Sequence, residues 1–155
     1  REVPMHGLIH VILKDFVGEK FGEATWQKLL GRLDVSDDAD ILEMKQYPDA
    51  ITLTAVAELV EVLGVTLDQG LEAFGRHFVQ FVSRQGWSMI LKSMGRTLPE
   101  FLNGLNDLHH FLERDFRKAT FPRFEAAETE KGTLLTYRSS RLLPSLVMGI
   151  LTELG

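Results

Sequence analysis

Leu98, Leu102, Leu105, His109, Leu112 and Phe116 recur at steps of 4, 3, 4, 3 and 4, which puts them on one face of a single helix. A stripe of that kind has to be covered, so the rest of the chain must supply elements that pack on it. The same period runs through most of the remainder. Leu8, Ile9, Ile12 and Phe16 predict a helix from about Met5 to Phe21, stopped by Gly22. Trp26, Leu29, Leu30 and Leu33 predict a short second one, and residues 34–50, with Asp34, Asp37, Asp38, Asp40 and Pro48, read as an acidic loop with fragments of helix. Further helices are predicted from about Thr52 to Leu63, ended by Gly64, and from a Thr66 cap through Leu71, Phe74, Phe78, Phe81 and Val82 up to Gly86. A short helix from about Trp87 to Met94 precedes Thr97-Leu-Pro-Glu100, a helix-start signature that opens the striped helix itself.

The period then changes. Pro122 breaks the chain, residues 123–139 read as two strands joined through Glu130-Lys-Gly132, and from about Ser140 a final buried helix carries Pro144 in its first turn. The expected fold class is mainly α with a small antiparallel β-sheet (α+β), in one domain over residues 5–155, with residues 1–4 a short extra segment ahead of Met5. A two-stranded hairpin is marginal alone and needs helices or further strands to pack on.

Composition narrows the function. With 17 basic against 22 acidic residues the net charge is −5, which argues against a nucleic-acid surface or a polybasic membrane anchor. The absence of cysteine removes disulfides, thiolate metal sites and a cysteine nucleophile. No stretch approaches the ~18–20 apolar residues of a membrane span, and the N-terminus lacks a signal layout, so a cytoplasmic protein is expected. Paired catalytic carboxylates, a Gly-rich phosphate loop and a nucleophile–base arrangement are not recognisable, so no enzyme is expected.

His109 stands in the middle of the apolar stripe, while His110 falls on the polar side with Asn103, Asn106, Glu113 and Arg117. A histidine so placed is either a core residue bonded to backbone carbonyls or a metal or haem ligand in a dry pocket; position alone leaves both open. His6 and His10 stand four apart and could chelate a metal on a helix, but no third ligand has matching spacing, so a surface reading is preferred; His77 reads as structural. Tyr137, Ser139 and Arg141 alternate at the end of the second predicted strand. They offer two hydroxyls and a guanidinium fork, a donor set suited to carboxylates.

Taken together, these features resemble the H-NOX family, the haem-nitric oxide/oxygen binding domains of bacterial gas sensors and of soluble guanylate cyclase. The resemblance runs from Met5 to about Gly155 and includes Met5-His-Gly7, Phe101-Leu-Asn-Gly-Leu-Asn-Asp-Leu-His109, Phe121-Pro-Arg-Phe124 and the Tyr137/Ser139/Arg141 set, 28 residues after His109. It implies haem b as cofactor, His109 as the proximal iron ligand, Tyr137, Ser139 and Arg141 on the haem propionates, and Pro122 and Ile9 pressing on the porphyrin. It also implies two more strands after the last helix, which this sequence lacks. Loosening of the His109–iron link on gas binding, with relaxation of the strain held by Pro122 and Ile9, is the mechanism it implies.

Oxygen-binding members carry a distal tyrosine, and the matching position here is Leu146, with Phe78 and Leu13 at the accompanying positions. A donor to a charged acceptor contributes about 1.5–3 kcal/mol, roughly ten- to a hundredfold in affinity. An apolar distal side therefore favours NO (and CO) over O2. The expected role is an NO sensor acting on a histidine kinase or a diguanylate cyclase or phosphodiesterase. The alternatives are an O2-binding member with an unforeseen donor, for which His10 and His77 are the candidates, and a haem-free helical interaction module.

Overall fold

The computed structural model describes residues 4–32, 46–115, 120–141 and 143–155. In chain order the elements are β1 (Pro4–His6), α1 (Gly7–Phe21), α2 (Glu23–Arg32), β2 (Gln46–Pro48), α3 (Asp49–Leu63), α4 (Leu67–Val82), a π-helical turn (Ser83–Trp87), α5 (Ser88–Ser93), α6 (Leu98–Asp115), β3 (Arg123–Thr129), β4 (Gly132–Arg138) and α7 (Pro144–Leu154). The fold is mainly helical with small antiparallel sheets, as the periodicity predicts. Two compact units divide the chain, Arg1–Phe81 with Ser145–Gly155, and Val82–Pro144.

In the first unit α1, α2, α3, α4 and α7 gather around one apolar core. Ile12, Leu13, Phe16 and Val17 of α1 are buried, as is Trp26 of α2. Phe16 packs on Phe74 of α4 with ring centroids 5.7 Å apart. Helix α3 stops at Gly64, whose φ of 64° is the left-handed conformation that favours glycine. Thr66 and Gln69 then form a reciprocal cap on α4, with Gln69 N donating to Thr66 Oγ1 at 3.2 Å and Thr66 N donating to Gln69 Oε1 at 3.0 Å. Helices α4 and α7 lie side by side in the same direction. Ser145 Oγ donates to Asp68 Oδ1 at one end (2.7 Å) and Gln80 Nε2 to Glu153 Oε1 at the other (3.0 Å). Midway they approach so closely that a Cβ on Gly75 would come within 3.1 Å of Gly149 Cα.

Several boundaries differ from the sequence reading. Residues expected to begin the first helix are strand, because Met5 pairs with Tyr47 and His6 with Gln46 in an antiparallel β1–β2 ladder. Part of the expected acidic loop is therefore β2, and α3 begins at Asp49 rather than Thr52. The rest of that loop, residues 34–45, lies outside the described residues, as do Leu33 of the predicted second helix and Phe116. The last helix begins at Pro144 rather than Ser140, because residues 140 and 141 form a bend.

In the second unit α6 packs along the β3–β4 hairpin. The hairpin is in register from Arg123↔Arg138 to Thr129↔Gly132. The predicted start of α6 is realised as a capping box. Glu100 Oε2 accepts from Arg96 N (2.8 Å) and Thr97 N (3.2 Å), and Glu100 N donates to Thr97 Oγ1 (3.4 Å). The backbone N–H of Arg96, then that of Thr97, hold the Glu100 carboxyl below the usual carboxylate range. A lowered folded pKa gives a contribution that is present above the unfolded value and lost as pH falls through the folded one. Glu100→Gln should therefore flatten the dependence of stability on pH as pH falls below the ordinary glutamate value of about 4.3. Urea unfolding across that window, with wild type and variant running parallel, would show that the carboxylate contributes nothing.

Candidate functional site

His109 is placed by two elements, α6 and the segment that enters β3. Its Nδ1 lies 3.2 Å from the Pro122 carbonyl. A carbonyl can only accept, so Nδ1 carries the proton and Nε2 presents a lone pair. The ring stacks on Phe121 with centroids 5.2 Å apart and lies 6.2 Å from Phe124. Burial pushes the His109 pKa down to about 4, with the Pro122 carbonyl opposing the shift, the Arg123 charge reinforcing it and Glu113 opposing it. The imidazole is therefore neutral at ordinary pH, the form in which histidine ligates a metal. A carbonyl on Nδ1 is compatible with a core histidine and with a metal ligand alike, and the two differ in what Nε2 serves. On the stripe around it, Leu102 is buried while Leu105, His109 and Leu112 stay half-buried.

Side chains that the sequence did not mark fasten α6 to β3 around this histidine. Asn106, one turn before His109, donates from Nδ2 to the Phe124 carbonyl (2.8 Å) and accepts the Phe124 N–H at Oδ1 (3.0 Å). Its amide thus serves the strand edge as a neighbouring strand would. Arg123 donates from Nη1 to the Asn106 carbonyl (3.3 Å) and from Nη2 to Glu113 Oε2 (2.7 Å). The available signal was spacing, since Asn106 and Glu113 flank His109 by one turn on either side and Arg123 follows Pro122 directly.

The Tyr137/Ser139/Arg141 set lies in the same unit, with all three side chains half-buried. Strand β4 ends at Arg138, so strict alternation does not align the three. Ser139 leaves the strand and accepts the Arg141 N–H at Oγ (3.1 Å), while Tyr137 Oη accepts the Leu143 N–H (3.4 Å). The Arg141 guanidinium donates through Nη1 to the Thr120 carbonyl. Tyr137 also packs on Phe124, 5.7 Å between centroids, so an aromatic path runs from His109 through Phe124 to Tyr137.

Ile9, Leu13, Phe78 and Leu146 belong to the first unit. Ile9, Phe78 and Leu146 are half-buried, whereas Leu13 is buried and borders a cavity of about 210 Å³ walled by Phe16, Val56, Leu59 and Phe74. The histidines of this unit correct the sequence reading. His6 is in β1 and not on a helix, so the helical chelate with His10 does not form. His10 is not a surface residue either. It is 3% exposed, and its Nε2 is bonded to Thr52 Oγ1 at 2.9 Å, tying α1 to α3. His77 is 1% exposed and Nε2 lies 2.7 Å from Asp15 Oδ2, tying α4 to α1, which agrees with its structural reading. No helix among the described residues is long and apolar enough to cross a membrane.

With this geometry in view, comparison with known proteins is informative. The family model described as Haem-NO-binding (HNOB) matches residues 6–155. The soluble guanylate cyclase gcy-32 of Caenorhabditis elegans is 32% identical over 155 residues, covering 97% of this chain and 23% of that protein. The soluble guanylate cyclase gcy-31 of the same organism is 32% identical over 138 residues, covering 88% of this chain and 20% of that protein. The chain thus spans about a fifth of the length of the curated relatives it matches. An H-NOX protein from S. oneidensis, solved in the Fe(II) ligation state, superposes with a TM-score of 0.82 at 19% identity, over 96% of this chain and 80% of that one. An oxygen-binding H-NOX domain, solved as its oxygen complex, superposes with a TM-score of 0.80 at 21% identity, over 96% and 78%. The family match over nearly all residues, on a fold shared with solved H-NOX proteins, shows that this chain belongs to the Haem-NO-binding family.

Proposed function

We propose that this chain is a haem-based gas-sensing domain in which His109 is the axial ligand and NO, with CO, is the preferred gas. The observation that carries this reading is the state of His109. Its ring is neutral, its Nδ1 is committed to the Pro122 carbonyl, and its Nε2 is left as a donor on an apolar helix face. That donor set fits haem iron, whose axial histidine characteristically gives its other N–H to a carbonyl or carboxylate. When bound, haem would supply a ferrous iron able to accept the His109 imidazole and a diatomic gas. Tyr137, Ser139 and Arg141 are assigned to the propionates. Ser139 Oγ and Tyr137 Oη accept backbone N–H groups of the adjoining turn and Arg141 donates to the Thr120 carbonyl, and a guanidinium's planar set of N–H donors matches a carboxylate in a bidentate fork. Pro122 and Ile9 are assigned to the porphyrin faces.

Leu13, Phe78 and Leu146 are assigned to the gas-binding side. None of them carries a hydrogen-bond donor on its side chain. Of the two histidines considered as substitute donors, His10 pairs Nε2 with Thr52 and His77 pairs Nε2 with Asp15, so the preference for NO over O2 is argued from the apolar side chains at Leu13, Phe78 and Leu146 alone. The signal leaves through His109. With His109 as the residue that would hold the iron, α6 would carry the signal by taking a second packing on β3, and such a switch needs two packings within a few kcal/mol. The effector is proposed to be a separate or fused signalling enzyme, a histidine kinase or a cyclic-di-GMP enzyme, with the cyclase of the curated relatives as the competing assignment.

The absorption spectrum of the reduced haem protein tests the gas preference. The spectrum in air should match that under argon, and NO should change it at once. A stable, distinct spectrum in air would make this an O2-binding member.

A further inference from the structure

The weakest point of a sensor that signals through one histidine is the orientation of that ring, and the structure shows how it is held. Three groups meet the α6–β3 junction around His109. Pro122 supplies the carbonyl for Nδ1, Asn106 pairs with both backbone groups of Phe124, and Arg123 lies between Pro122 and Phe124 in sequence. Among the described residues, Arg123 reaches both sides. Its Nη1 holds the carbonyl of Asn106, one turn before His109, and its Nη2 holds Glu113, one turn after.

We propose that Arg123 is a positioning residue for His109, bracketing α6 on both sides of the ring so that the Pro122 carbonyl stays on Nδ1 and sets the donor strength of Nε2. The inference rests on the reading of His109 as axial ligand. The chemistry favours orientation over stability as the role of this arginine. The Arg123 and Glu113 side chains are 41% and 29% exposed, a setting in which an ion pair contributes little to folding. The planar guanidinium nonetheless fixes two acceptors in one rigid geometry, where an ammonium would be a rotatable point charge. Because Arg123 is bonded through its own peptide to Pro122, any shift of the bracket moves the acceptor of His109 directly. A hydrogen bond at Nδ1 makes the imidazole more basic and strengthens its bond to a metal, and loss of such an outer partner costs about 10–100-fold in metal affinity.

Resonance Raman and absorption spectra of the haem protein test this with Arg123→Ala, Arg123→Lys, Glu113→Gln and His109→Gly. Arg123→Ala should keep haem and melt close to wild type. Its iron–imidazole stretching band should fall in frequency, and the ratio of NO-treated molecules that have lost His109 from the iron to those that keep it should rise about tenfold. Arg123→Lys should lie between the two, and Glu113→Gln, which keeps a neutral acceptor, near wild type. An unchanged band and ratio in Arg123→Ala, with wild type and His109→Gly still distinct, would overturn the role of Arg123 and leave the axial reading standing. Identical spectra for wild type and His109→Gly would overturn the axial reading, and this inference with it. If Arg123→Ala does not fold, the same two measurements on Arg123→Lys decide in the same way.

Discussion

His109→Gly should abolish the protein's own bond to iron while leaving the helix that carries it in place. The glycine removes a side chain that combines a neutral ring, an apolar setting and a proton-bearing nitrogen held by a carbonyl. A glycine inside a helix costs about 0.5–1 kcal/mol relative to alanine, small against the stability of a typical domain. The capping box at Thr97 and Glu100 and the Asn106–Phe124 pairing remain to hold α6. The effect on iron should exceed the roughly 10–100-fold that loss of an outer partner costs, because the proposed ligand itself would be gone. The iron–imidazole vibration should vanish from the reduced protein and return when free imidazole is added. Retention of the wild-type iron coordination in the variant would show that another residue is the ligand.

The second large effect concerns the α4–α7 contact, which positions Leu146. A Cβ added to Gly149 would fall inside the van der Waals shell of the Glu72 carbonyl oxygen, and one added to Gly75 inside that of the Leu146 carbonyl oxygen. Both obstacles are backbone atoms and cannot rotate aside, so the helices must separate. Overpacking of this kind costs about 1–3 kcal/mol and occasionally more. At ~2–4 °C per kcal/mol for a chain of this size, Gly149→Ala should melt ~5–10 °C lower. Gly18→Ala is the matched control, because a Cβ there meets nothing within 4 Å and alanine is the better helix former. It should melt at or slightly above wild type. Equal melting temperatures for Gly149→Ala and wild type in thermal denaturation would refute the close contact.

Much of the local structure was legible from residue order. The stripe from Leu98 to Leu112, the Thr66 and Thr97 caps and the Gly64 stop all depend on interactions within about four residues, the range over which helix hydrogen bonds and caps operate. The hairpin of β3 and β4 is likewise a local pairing across Glu130 and Lys131. Residue order also marked His109, Pro122 and Tyr137 as members of one pattern. It did not show that Met5 pairs with Tyr47, because nothing in either tripeptide announces a strand and the partner lies 42 residues away. It placed His10 on the surface, since burying a histidine is favourable only where a partner such as Thr52 is brought to it from another helix.

The division is sharpest at His109. Order and spacing determined that an imidazole would sit on an apolar helix face; only the tertiary structure decided which nitrogen holds the proton and which side chains hold the ring. That choice depends on the Pro122 carbonyl, Asn106 and Arg123 arriving together. A hydrogen bond falls off steeply within a fraction of an ångström, so its partner is set by the packing of whole elements and not by the period of one.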